Sequence, residues 1–225
     1  MKTKLCWAFC LLLISSFCFG QCDFYLFQAN KKITMGVYDN KGKLSGKLVY
    51  KISDVKKSGS SYTSNYVSEI YDKKDKLIGS STGAVNCDGE KLMMDMKMAL
   101  PATNSAFTDV KVKSNSSSLD FPSALKVGET LPDGSLDMDF MMSGMEGNIK
   151  MDVSDRKVVA KEKVTTPAGS WDAFKITSKS KTAMKMMVSM PSMVIESTDW
   201  FVPGFGMVRS ESKTGKTELL SIEPL

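Results

Sequence analysis

Apolar and polar positions alternate with a period of two along most of the chain. Within residues 47–53, Leu48, Tyr50 and Ile52 fall on one face and Lys47, Lys51 and Ser53 on the other. Leu136-Asp137-Met138-Asp139-Phe140 alternates without a break, as do Phe174-Lys175-Ile176-Thr177 and Met207-Val208-Arg209-Ser210-Glu211. Successive side chains of an extended strand point to opposite sides. The pattern therefore marks strands with one buried and one solvated face, as antiparallel sheets have. Turn-forming residues separate the segments: Asp39-Asn40-Lys41-Gly42, Lys57-Ser58-Gly59, Asp88-Gly89, Pro132-Asp133-Gly134, Glu146-Gly147-Asn148 and Thr214-Gly215. The spacing predicts an all-β fold, a single strongly curved antiparallel meander or incomplete barrel of about ten to twelve strands. Little helix is expected beyond one short piece over Phe24 to Asn30. The stretch from Ser114 to Pro132 breaks the alternation and reads as an irregular crossing between two halves of one sheet.

The N-terminus sets the compartment. Lys2 and Lys4 precede the apolar run Leu5 to Ile14, and Cys18-Phe19-Gly20 places small residues where a signal peptidase cuts. A signal peptide over 1–20, cleaved after Gly20, is expected, leaving a single β-rich domain over 21–225 exported to the periplasm. The apolar run is shorter than the roughly 20 residues a bilayer span requires, so no transmembrane span is expected in the mature chain. Phe19-Gly20-Gln21 ahead of Cys22 fits a lipidation site poorly, which makes a lipoprotein the lesser reading. Cys6, Cys10 and Cys18 leave with the signal, and Cys22 and Cys87 remain. An even pair in an oxidising compartment reads as one disulfide; two separate thiols are the alternative, and a metal pair is weaker still.

The chain contains no His. That removes Ser-His-Asp and Cys-His nucleophile pairs, imidazole acid–base chemistry and His-based metal centres. The 30 Lys+Arg against 25 Asp+Glu are scattered, and Arg156 and Arg209 are the arginines. No basic patch interleaved with aromatics suggests nucleic acid. No enzyme, cofactor, metal site or nucleic-acid partner is expected; a protein partner in the envelope stays open.

Three segments carry a family resemblance: Leu125-Lys126-Val127-Gly128-Glu129-Thr130-Leu131-Pro132-Asp133, then Thr166 to Ile176 with its Pro-Ala-Gly-Ser-Trp-Asp core, then Asp199-Trp200-Phe201-Val202-Pro203-Gly204-Phe205-Gly206-Met207-Val208-Arg209-Ser210. Together they resemble the exported bacterial domain-of-unknown-function 3108-like family. That resemblance implies an architecture similar to the lipoprotein carriers LolA and LolB, a curved, incompletely closed sheet around an apolar cavity. It implies no catalytic residues. Physically, Val202-Pro203-Gly204 suits a tight corner, with Gly204 supplying a positive φ and Gly206 close packing.

Methionine is the compositional anomaly. The chain has 17, and fourteen fall in clusters at 93–98, 138–151 and 184–193. The parity of alternation predicts that Met94, Met96, Met98, Met138, Met142, Met184, Met186 and Met190 face the concave side of the sheet with Phe140 and Val188. Asp95, Lys97, Asp137, Asp139 and Lys185 would then face out. Such a wall would line an apolar cavity for a lipid, a lipoprotein or another hydrophobic ligand, because unbranched thioether side chains adapt to varied shapes. Two other readings stand beside it. The methionines could serve core packing alone, in a structural or interaction protein of the envelope, or hold Cu(I) through their thioethers.

Overall fold

The computed structural model describes residues 22–99, 107–112, 118–142, 144–187 and 190–225, without the side chains of 99, 107–112 and 142. The expected signal segment lies outside the described residues. The first strands are β1 (Lys31–Asp39), β2 (Leu44–Ser58), β3 (Ser61–Asp72), β4 (Leu77–Cys87) and β5 (Lys91–Asp95). The short strands β6 (Phe107–Val112) and β7 (Ser118–Pro122) follow. Then come β8 (Gly134–Met142), β9 (Met145–Thr166), β10 (Gly169–Lys185), β11 (Met193–Val202), β12 (Gly206–Ser212) and β13 (Gly215–Pro224). All thirteen join one antiparallel sheet in the order β6-β8-β9-β10-β11-β12-β13-β1-β2-β3-β4-β5-β7. The sheet curls until it is nearly closed into a barrel, with one unsealed seam.

The seam runs where β7 approaches β8. A Cβ at Gly134 would meet Leu119 Cδ2 at 2.7 Å, so this glycine lets the two sides come together. The segment from Ser123 to Asp133 carries the chain from the β7 edge to β8, the crossing that the sequence pattern predicts. Its Thr130 bridges Lys157 of β9, and Leu131 N–H donates to the Arg156 carbonyl at 2.9 Å. The strand count exceeds expectation because Ser118–Pro122, within that supposedly irregular stretch, pairs with Lys91–Asp95. A second correction concerns the β8–β9 hairpin. Its turn lies at Gly144, with φ 79°, while Gly147 belongs to β9 and leaves room for the Phe140 ring.

Hairpin connections alternate between the two ends of the barrel. At one end the chain enters as a plug. The expected helix is a single 3-10 turn, Tyr25–Phe27, and Cys22, Phe24, Tyr25, Leu26 and Phe27 are all buried. Phe24 packs on Phe201, whose ring stacks on Phe121 at 4.7 Å. Tyr25 N–H donates to the Phe205 carbonyl and its hydroxyl to the Met207 carbonyl at 2.8 Å. The corner at Pro203-Gly204 closes as read, Gly204 at φ 71° and Phe205 N–H on the Val202 carbonyl. Gly206 lies so close to the Tyr25 ring that a Cβ would meet it at 2.6 Å. The Cys22–Cys87 disulfide ties this plug to the end of β4.

Closing a loop over a sequence separation of 65 residues stabilises the folded state by about 4 kcal/mol on the chain-entropy account. Cys22→Ser/Cys87→Ser should therefore lose about that much in urea denaturation while keeping a β-rich far-UV circular dichroism spectrum. A loss under about 1 kcal/mol would show that the buried aromatics hold the plug unaided.

Candidate functional site

Away from the plug the inner wall changes character, and a bulge in β9 marks the change. Register slips between Thr177 and Lys179 of β10, opposite Ser154–Lys157, and Asp155 takes φ 53°. Before it the odd residues Ile149, Met151 and Val153 face in; after it Arg156 and Val158 do. The extra residue thus turns Arg156 into the barrel. The residue is 2% exposed, and its guanidinium donates from Nη1 to the Pro132 carbonyl at 2.6 Å and lies 4.8 Å from the Phe121 ring centroid. Nη2 is buried without a hydrogen-bond partner.

Beyond Arg156 the barrel has two unlike walls. On the side of β8, β9 and β10, Met96, Leu136, Met138, Phe140, Ile149, Met151 and Val153 form a buried cluster separate from the main core, with Leu119, Met184 and Met186 packed against it. On the side of β10 to β13 the inward positions are small and polar. Asp199 pairs with Ile176 on one flank and Ser210 on the other, so it shares the inner face with them. Ser197 lies two residues along that face, its hydroxyl 2.9 Å from that of Ser178. Ser197, Asp199, Ser210 and Thr217 are only half-buried although they line the interior.

The predicted site residues divide as follows. Met96, Met138 and Phe140 are buried in the separate cluster and Met184 and Met186 pack on it, whereas Met94 and Met98 pack on the main core. Met94, Met96 and Met98 do not share one strand face, because β5 ends at Asp95 and Met96–Ala99 is a 3-10 turn. That turn also overturns the outward placement of Asp95, whose carboxylate accepts the Lys97 N–H and meets Tyr66 Oη at 3.5 Å. Met190 is 56% exposed in the loop after β10, where strand parity no longer applies. The side chain of Met142 and all of Val188 lie outside the described residues. Asp137 and Asp139 do face out, bridged by the Asn148 amide. Met151 belongs to the cluster and was legible from the alternation of Ile149 to Val153. Arg156 and Asp199 were missed: Ser154-Asp155-Arg156-Lys157 is polar throughout and shows no phase.

Burial pushes the Asp199 carboxyl above the usual carboxylate range, against the lowering pull of the Ser210 hydroxyl and the Arg156 charge. Burial likewise lowers the Arg156 guanidinium, opposed by Asp199, Asp120 and Asp133. On the outer face Trp200 is held by Glu162, which accepts its Nε1–H at 2.7 Å, and by Lys175 and Arg209 over its ring. Arg209 is itself fixed by the Thr165 carbonyl and Glu218. That cluster braces the outer face of the sheet. Among the described residues no group of three or more acidic or Cys side chains is placed to hold a metal. An open depression of about 390 Å³ is lined by Asp133, Gly134, Ser135, Asp152, Val153 and Ser154, and through Gly134 and Val153 it borders the methionine wall.

A carboxyl whose folded pKa is raised favours the folded state only while protonated. Its stabilising share is complete below the unfolded value and is lost as pH rises from there through the folded pKa. Asp199→Asn should therefore leave stability unchanged at pH 3 and raise it at pH 7. Thermal melts at the two pH values measure this, and equal effects at both would show that Asp199 ionises freely.

Two solved structures share this architecture. A "putative exported protein with YmcC-like fold" from Bacteroides fragilis is 22% identical, the match covering 87% of this chain and 96% of that one, with a TM-score of 0.70. A "putative lipoprotein" from Parabacteroides distasonis is 18% identical over 90% and 99% of the two chains, with a TM-score of 0.74. Comparison with curated proteins returns no match. The model of one family covers residues 28–225, every strand of the barrel and all three motifs. By that match the chain belongs to the DUF3108-like family.

Proposed function

We propose that this is a non-catalytic, exported envelope protein whose barrel holds a hydrophobic or amphiphilic ligand, a lipid or the lipid part of a lipoprotein. The observation that carries the reading is convergence. Methionines from three distant segments meet on one inner wall, beside the seam and away from the plug. Thioether side chains are unbranched and polarizable, so such a wall can reshape around an alkyl chain. The facing wall of Ser197, Asp199 and Ser210 offers polar contacts for a headgroup. The carrier-like likeness to LolA and LolB that the motifs suggest agrees with this arrangement. Export is favoured by the N-terminal pattern and by what the two structural neighbours are described as. With Cys22 engaged in the disulfide, its thiol is not open to lipidation, which favours a soluble periplasmic protein.

The test is binding of a hydrophobic fluorescent probe, displaced by fatty acids of graded chain length. Wild-type protein should bind the probe. Met96→Leu, Met138→Leu, Met151→Leu and Met184→Leu together should keep the fold, each costing under about 1.5 kcal/mol. The combined variant should accept a narrower range of chain lengths because Leu is branched and stiffer. If wild-type protein binds neither probe nor fatty acid, the methionines serve packing alone and the ligand reading fails.

A further inference from the structure

We propose that the end of the barrel opposite the plug docks on an anionic lipid surface. Among the described residues ten large apolar side chains are exposed, and seven of them sit at this one end. Met145 follows the β8–β9 turn, Met187 and Met190 lie between β10 and β11, Met193 and Val194 open β11, and Leu77 and Ile78 open β4. Scattered apolar residues on a surface carry no message, but seven gathered at one pole of a barrel do. Met187 is 85% exposed, more than any other of the ten.

The remaining arc of the same rim is basic. The turns spanning 39–43, 72–76 and 212–216 carry seven lysines against three aspartates. Those aspartates are engaged locally. Asp39 accepts the N–H groups of Lys41 and Lys43, Asp72 those of Lys74 and Lys76, and Asp75 pairs with Lys47. Among the described residues Lys41, Lys43, Lys73, Lys74, Lys76 and Lys213 are exposed and make no ion pair. Exposed apolar side chains beside unpaired ammonium groups, gathered at one end of the barrel, match an interface of acyl chains beneath negative headgroups.

Co-sedimentation of the intact mature protein with vesicles tests this. Binding to phosphatidylcholine vesicles containing phosphatidylglycerol should greatly exceed binding to phosphatidylcholine alone and weaken as salt screens the lysines. Replacing Lys73, Lys74 and Lys76 by Gln should reduce affinity about fivefold per lysine. Met187→Ser with Met193→Ser should reduce it at every salt concentration. All these positions are exposed, so each variant should melt like wild type. The proposal is overturned if wild-type protein stays in the supernatant with anionic vesicles at low salt. It is equally overturned if both sets of variants bind as wild type does, or if the apolar rim instead pairs two copies in solution.

Discussion

Thirteen strands curled into one sheet enclose more volume than their own inward side chains can fill, since barrel width grows with strand number. Most of the features of the molecule follow from how that volume is occupied. At one end the N-terminal segment supplies Phe24, Tyr25, Leu26 and Phe27, aromatic and aliphatic bulk that no strand could project so far toward the axis. The disulfide and the Tyr25 hydrogen bonds hold this segment inside. Toward the other end no such plug is present among the described residues. There the methionine cluster fills one wall and partly buried polar side chains face it.

How much of this was legible follows from what periodicity can carry. Alternation reports strand phase, so the buried faces of β2 and β8 were readable from Tyr50, Ile52, Leu136, Met138 and Phe140. Phase says nothing once a bulge resets it. Asp155 resets it in β9 with no glycine to announce the change, an Asp being tolerated in the left-handed region. Arg156 consequently looked like one more surface cation in a polar run. The same limit explains Gly147, which reads as a turn residue but serves as clearance for an aromatic ring across the hairpin. The seam strand β7 escaped notice because five residues ending in proline give too short a pattern to count.

The placement of Arg156 decides how the lumen is divided. It sits where the aromatic core stops, with its side chain against Phe121 and Pro132. A buried cation with a donor left over is costly unless nearby acids offset it, and Asp199, Asp120 and Asp133 exert that influence here. Replacing this residue by an aliphatic one of similar length would remove the cost. It would also merge the aromatic core with the methionine cluster. The charge is better understood as a boundary that keeps one end of the barrel packed while the other retains polar, partly exposed walls.

Why that other end uses methionine rather than leucine or isoleucine follows from its neighbours. Strands joined by backbone hydrogen bonds keep fixed spacing, and branched side chains pack well against a fixed surface. The methionine wall borders the seam, where β7 and β8 meet through Leu119 and Gly134 instead of through a ladder. Spacing across a seam is set by side-chain contact alone and can change without breaking backbone hydrogen bonds. Met96, which touches the seam at Gly134, and Met138 and Met151 behind it can follow such a change through low-barrier rotations. A leucine wall would fit one width of the seam. A methionine wall could follow several, which is the physical link between the anomalous composition and the seam in the proposed ligand reading.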